Sequence, residues 1–296
     1  MLPSVSLGPG SLRIAVAGAT GRVGSALISS LAHDSVSTLA LSRTPEVVRV
    51  PAGVTVAAID FDQPATLERA LRNIDRLFIA HGTSPRQVRN EIALIDAAVA
   101  ADVGHIVKLS ALGPASQLHP LDWHMRIEAH LAQQNIGYTV LHPSAFLDIL
   151  KRAALDVVKG TWGGAAGSGL ANFIDTRDVA DVARIALLAS VESGAQRALH
   201  LTGPRAWNMQ QIAQEMSRAV GREIKYSERT PSEQRAALLA SGVSEFAADL
   251  LLGLDRLFRA SALAETTSTV EQMTGHAPRT LTDWLAENSA IFRAAA

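Results

Sequence analysis

The chain has 296 residues, 48% of them hydrophobic and 19% charged, enough to bury a large core in one big domain or two smaller ones. A net charge of −1 gives no electrostatic case for nucleic acid or an anionic membrane as partner, and the absence of cysteine excludes disulfides, thiolate metal sites and cysteine nucleophiles. Aromatic residues make up only 4%, so the core must be largely small and aliphatic.

The first ten residues carry neither a basic region nor an apolar run, so no signal peptide is expected and the location predicted is cytoplasmic. Runs such as Ile185 to Ala189 are far too short to span a bilayer. From Leu12 onward short apolar runs alternate with amphipathic segments. Strands are predicted at Leu12–Ala17, Thr38–Ser42, Val54–Ile59, Arg76–Ala80, His105–Leu109 and Tyr138–Leu141. Helices are predicted between them at Val23–Ala32, Ala65–Leu71, Gln87–Ala101 and His124–Gln134. Ser84-Pro-Arg-Gln87 and Thr230-Pro-Ser-Glu233 read as capping boxes with proline in the first helical position, and Asn208-Met-Gln-Gln211 as a weaker one.

Strands alternating with helices imply right-handed βαβ units. The expected fold class is α/β, a doubly wound parallel sheet of Rossmann type, with a smaller and mostly helical C-terminal lobe. Residues 1–155 are expected to form the cofactor domain and 156–296 the substrate lobe, with 172–202 returning to the first sheet. In the lobe, the glycine-rich stretch 160–169 holds a tryptophan, Trp162, that reads as exposed.

Gly18-Ala-Thr-Gly21-Arg-Val-Gly24 lies between the first strand and the first helix. Glycines there allow a tight turn and close approach of a pyrophosphate to the helix N-terminus. Gly18, Thr20, Gly21, Arg22, Val23 and Gly24 are the expected phosphate contacts. An acidic residue at the end of the second strand would bond the ribose of NAD; the chain has Ser42-Arg43 instead, with Arg43 nineteen residues after Gly24. A hydroxyl and a guanidinium suit a 2′-phosphate, so the expected cofactor is NADP(H); a solvated surface role for Arg43 is the alternative. Asp60 and Phe61, after the third strand, are expected beside adenine, although Asp60 reads equally well as a turn residue. Ala80, His81, Gly82, Ser110, Pro143 and Phe146 complete the expected cofactor contacts.

These residues, with Ile95-Asp-Ala-Ala-Val-Ala-Ala-Asp-Val-Gly-His-Ile-Val-Lys-Leu-Ser-Ala-Leu-Gly113, His124-Met-Arg-Ile-Glu128, Gly137-Tyr-Thr-Val-Leu-His-Pro143, Phe173-Ile-Asp-Thr-Arg-Asp178 and Leu201-Thr-Gly-Pro204, resemble the NmrA-like atypical short-chain dehydrogenase/reductases. The resemblance runs from about residue 12 to 290. It implies the fold and an NAD(P)H cofactor, in a group that holds quinone and triphenylmethane reductases as well as regulators that bind NADP without turning it over. His142 departs from the group, where arginine is commoner.

Tyr138 and Tyr226 are the only tyrosines, and neither has a lysine four residues later, so the Tyr-Lys pair of ordinary alcohol dehydrogenases is absent. The catalytic candidates are Ser110, at the end of the fifth strand, and His124, with Glu128 one turn on to orient the imidazole and raise its pKa. A capping or surface histidine is the alternative for His124. His119, His124 and His130 do not share a helical face, so no metal site is expected. The expected activity is NADPH-dependent reduction of a small apolar conjugated acceptor, a quinone, enone or similar, by direct hydride transfer. Its rivals are a non-catalytic NADP(H) sensor acting on a partner protein and a biosynthetic enzyme performing reduction, isomerisation or cyclisation. The expected partner is a small apolar molecule, with neither nucleic acid nor membrane involved; a homodimer is compatible with the sequence. The stretches Phe146–Trp162 and Ser241–Phe258 are expected to line the substrate pocket.

Overall fold

The computed structural model describes residues 11–114 and 120–293. The first ten residues and His119 lie outside the described residues. Cα packing divides the chain into two interleaved units, one made of Met1–Ser110, Trp123–His142 and Val179–Leu199, the other of Ala111–Asp122, Pro143–Asp178 and His200–Ala296. The sequence reading placed the boundary after residue 155 and returned 172–202 to the first domain.

The first unit is built on strands β1 (Arg13–Ala17), β2 (Ser37–Ser42), β3 (Thr55–Ala58), β4 (Arg76–Ile79), β5 (His105–Leu109) and β6 (Gly137–Pro143). These run parallel in the order β6-β5-β4-β1-β2-β3. The crossover helices are α1 (Arg22–Leu31), α2 (Pro64–Leu71), α3 (Gln87–Ala100) and α4 (Leu121–Leu131). The order reverses between β1 and β4, and in such sheets ligands bind beyond the strand C-termini at that switch point. The core is aliphatic, as the composition demands: Ala15, Leu77, Leu94, Ile95 and Ile106 are all buried within it. Helix α1 shows how the pattern works, since Val23, Leu27, Ile28 and Leu31 fall on one face and are buried.

The second unit contributes β7 (Ala145–Phe146), β8 (Gly163–Gly164), β9 (Ala171–Ile174), β10 (Gln196–Leu201), β11 (Ala206–Trp207) and β12 (Ser227–Glu228), of which β10 lies mostly in the first unit and extends its sheet beside β6. Helices α5 (Ala154–Lys159), α6 (Thr176–Leu188), α7 (Met209–Val220), α8 (Pro231–Ala240), α9 (Glu245–Arg259), α10 (Thr269–Thr274) and α11 (Leu281–Asn288) are the remaining α-helices among the described residues, with α6 passing from the second unit into the first. No helix among the described residues is long and apolar enough to cross a membrane.

Three local expectations need correction. Segment 172–174 does not rejoin the first sheet; β9 lies between β7 and β11 in a three-stranded sheet. The buried Asn172 amide explains this, because its partners Gly203 and Thr266 belong to the second unit. Trp162 is buried, packed edge-on against Tyr226 with ring centroids 5.1 Å apart. The box at Ser84 does not form: α3 starts at Gln87 with Arg86 as its cap residue and no capping side chain. The Gln87 amide is instead buried and donates to Glu91, so it cannot reach back to the helix start. The boxes at Thr230 and Asn208 form in full.

Candidate functional site

The first glycine loop is sterically dictated. Gly18 has φ +82°, in the left-handed region, and a Cβ there would overlap the Ala80 carbonyl oxygen. A Cβ on Gly24 would overlap the carbonyl oxygen of Gly18. The loop closes with Gly21 N–H donating to Gly18 O at 2.9 Å, and Gly21 becomes the cap residue of α1 without any side-chain cap. A ten-residue helix thus begins with amide groups that no side chain satisfies, at the C-terminal end of β1. Thr20 and Arg22 are exposed beside it, while Val23 is buried into the sheet.

At the end of β2, Ser42 is buried and its hydroxyl accepts the Thr44 N–H at 3.1 Å; Arg43 is exposed. Asp60 acts as a turn residue. Its carboxylate accepts the Asp62 N–H and the Gln63 amide, which hold its pKa below the ordinary value, and its own N–H donates to Thr66. Phe61 packs edge-on against His81 at 5.8 Å. His81 Nδ1 donates to Gly82 O at 2.6 Å, and its Nε2 lies in hydrogen-bond contact with the Asn90 amide at 2.9 Å. Ala80 follows β4, and Pro143 ends β6 ahead of Phe146 in β7.

Beyond β5 lies a buried polar network. The Lys108 ammonium, fully buried, pairs with the Glu91 carboxylate at 2.9 Å and hydrogen-bonds Leu109 O at 2.9 Å and His124 Nδ1 at 3.2 Å. Glu91, also fully buried, takes the Gln87 amide on its other oxygen at 2.8 Å. The arrangement corrects the reading of His124. Helix α4 starts at Leu121, three residues earlier than expected, and Glu128 does not pair with His124. Glu128 instead accepts from Ser110 Oγ and, at 3.0 and 3.1 Å, from His142 Nε2. Burial, then the charges of Lys108 and His142, push the His124 pKa well below its ordinary value rather than raising it. Burial by itself would raise Glu128, but the hydrogen bonds from His142 and Ser110 and the charges of His142 and Lys108 outweigh it and keep the carboxylate ionised.

The sequence reading missed Glu91 and Lys108, and noted His142 only as a departure from the group. A lysine inside the otherwise apolar run His105-Ile-Val-Lys-Leu109 was the available signal, because a buried ammonium requires a buried carboxylate nearby. Glu91 sits one turn after Gln87 on the buried face of α3. Elsewhere, His130 bonds Asp96 at 2.6 Å, away from this network.

The second unit holds a pocket of about 140 Å³ that opens to solvent. Its wall includes Ile149, Leu150 and Trp162 from the first expected stretch, and Leu251, Asp255 and Phe258 from the second. Phe173, Met209, Tyr226, Gln234 and Leu238 join them without having been foreseen. Burial raises the Tyr226 phenol above its ordinary range and the Asp255 carboxyl to about 6.

Residues 18–190 match the family model described as NAD(P)H-binding. The chain is 31% identical over 287 residues to the NAD(P)H azoreductase of Xenophilus azovorans, covering 95% of this chain and all of that one. It is 30% identical over 285 residues to quinone oxidoreductase 2 of Escherichia coli strain K12, covering 91% and 96%. The crystal structure of an NADPH-dependent quinone oxidoreductase from Escherichia coli complexed with NADPH superimposes with a TM-score of 0.85 at 26% identity, covering 93% of this chain and 99% of that one. With a glycine cradle, a parallel sheet and relatives matched over nearly their full length, the chain belongs to the NAD(P)H-binding family, in its NmrA-like branch, and is an NAD(P)H-dependent oxidoreductase.

Proposed function

We propose that the chain is a reductase that prefers NADPH and passes hydride to a small apolar conjugated acceptor, a quinone, enone or similar. The observation that carries the reading is the start of α1, where backbone oxygens fill the Cβ positions of Gly18 and Gly24 and no side chain caps the helix. A pyrophosphate satisfies those amides, with Gly18, Thr20, Gly21, Arg22, Val23 and Gly24 around it. The exposed Arg43 guanidinium and the Ser42 hydroxyl take the 2′-phosphate. Asp60 and Phe61 stand by adenine, Ala80, His81 and Gly82 follow along the sheet edge, and Ser110 serves the nicotinamide end. The relatives named for NAD(P)H and NADPH support this cofactor.

The bound reduced nicotinamide supplies the hydride. Ser110 gives its own proton to Glu128, so it presents a lone pair to whatever lies at the end of β5, and accepts from a carboxamide N–H or a reduced acceptor's O–H. His124, neutral and hydrogen-bonded to Lys108, orients rather than protonates. When the acceptor anion forms, the Ser110 hydroxyl turns from Glu128 to donate a hydrogen bond to it, and water supplies the proton. Most of the rate comes from holding donor and acceptor together. The test is steady-state oxidation of NADPH and NADH against a panel of quinones, enones and azo compounds. Acceptor-dependent turnover, faster with NADPH, is expected; tight NADPH binding with no turnover on any acceptor refutes the reading.

A further inference from the structure

The second unit's cavity carries a feature the reductase chemistry does not use. Trp162, Phe173, Leu238 and Phe258 give it apolar walls, and a cavity of about 140 Å³ is close to the roughly 150 Å³ that admits benzene in an engineered protein core. Asp255 stands in that wall on α9. Its carboxylate accepts one hydrogen bond, from the Ala165 N–H at 3.2 Å, out of about four that a carboxylate can take. Two neighbouring cations, Arg259 and Arg229, are engaged elsewhere. Arg259 donates to Ala165 O at 2.9 Å and pairs with Glu228, while Arg229 donates to Thr161 O at 2.8 Å and Gln234 Oε1 at 2.9 Å. Arg152 and Asp156, also on the wall, contribute one charge of each sign. The Tyr226 oxygen accepts the Ala166 N–H at 3.3 Å.

We propose that this cavity binds a single aromatic ring bearing a protonated amine, with the ring among the aromatic walls and the ammonium on Asp255. A neutral ring would cover a half-satisfied carboxylate and strand it, whereas an ammonium adds charge-assisted hydrogen bonds. The indole of Trp162 and the phenol ring of Tyr226 add cation–π attraction. A carboxyl raised by burial to about 6 weakens the fold at neutral pH, and strain of that kind is typical of groups retained for binding. The proton balance of the site sets its pH dependence. Asp255, facing Glu228, Arg259, Tyr226, Arg152 and Asp156, is charged above about pH 6 and neutral below it, so amine affinity rises with pH through that range. The assignment does not depend on the reductase reading, since it needs neither nicotinamide nor turnover.

Calorimetric titration of the full chain without nucleotide, using benzylamine, benzyl alcohol and benzoate, tests it. Above pH 6 benzylamine should bind about 10- to 100-fold more tightly than benzyl alcohol, the range expected for hydrogen bonds to a buried charge. The preference should collapse below pH 6 and in Asp255→Asn, which keeps its affinity for the alcohol, while Leu238→Trp, filling the cavity, should abolish binding of both. Equal affinity for amine and alcohol, a preference for benzoate, survival of the preference in Asp255→Asn, or no binding at all overturns the proposal.

Discussion

Replacing Lys108 by methionine tests whether the network beyond β5 is as tightly bound as its geometry implies. The substitution nearly conserves volume but removes an ammonium that is fully buried, ion-paired with Glu91 and hydrogen-bonded to Leu109 O and His124. It leaves Glu91 charged in the interior with the Gln87 amide as its donor. Breaking one side of a buried ion pair costs about 3–5 kcal/mol. The orphaned Leu109 carbonyl adds about 1 kcal/mol or more, giving a loss of roughly 4–6 kcal/mol. The double variant Lys108→Met/Glu91→Leu removes both charges and should recover at least half, because apolar replacement of a whole buried pair is close to neutral. Urea unfolding followed by circular dichroism measures both. Without the Lys108 charge, the His124 pKa should also move up toward its ordinary value, visible in the pH dependence of its ring proton resonances. A single variant within about 1 kcal/mol of the parent, or a double variant no better than the single, would refute this reasoning.

Three further outcomes follow from the same structure. Arg43→Asp should weaken NADPH binding by at least about 10-fold while leaving NADH nearly unchanged, as read by nucleotide titration; equal losses for both would mean that Arg43 ignores the 2′-phosphate. Gly24→Ala drives a methyl into the Gly18 carbonyl, so it should lose nucleotide affinity and about 1–3 kcal/mol of stability; full binding would contradict the cradle. Asp255→Asn should stabilise the fold by about 1–3 kcal/mol at pH 8, and the gain should vanish toward pH 4. The folded pKa of about 6 lies above the unfolded value, so the native state binds the extra proton and wild-type stability falls as pH rises through that window. Denaturation at several pH values checks the sign.

How much was legible varied with the physics of each element. The parallel sheet was clear because β1, β4 and β5 are short apolar runs separated by helices, and β5 matches its expected bounds of His105–Leu109 at both ends. The glycine loop was readable because steric overlap at Gly18 and Gly24 is a property of local backbone. Pairings across long sequence separations were not readable. Glu128 is one turn from His124 on α4, and helical spacing invited that pair, yet the carboxylate turns to Ser110 and His142 from strands β5 and β6. Capping behaved similarly. The boxes at Thr230 and Asn208 form where nothing competes, whereas Gln87 is claimed by Glu91. Trp162 misled because glycines surround it in sequence, while in space Tyr226 covers it.

The central claim is direct hydride transfer from bound NADPH to an acceptor, and single-turnover stopped-flow with NADPH deuterated at one or the other C4 position tests it most directly. The account predicts acceptor-dependent loss of the reduced-nicotinamide signal, slowed by deuterium at one C4 position and unaffected by deuterium at the other. A signal that persists with every acceptor, or that decays at the same rate with all isotopologues while an unlabelled reduced product forms, would contradict it.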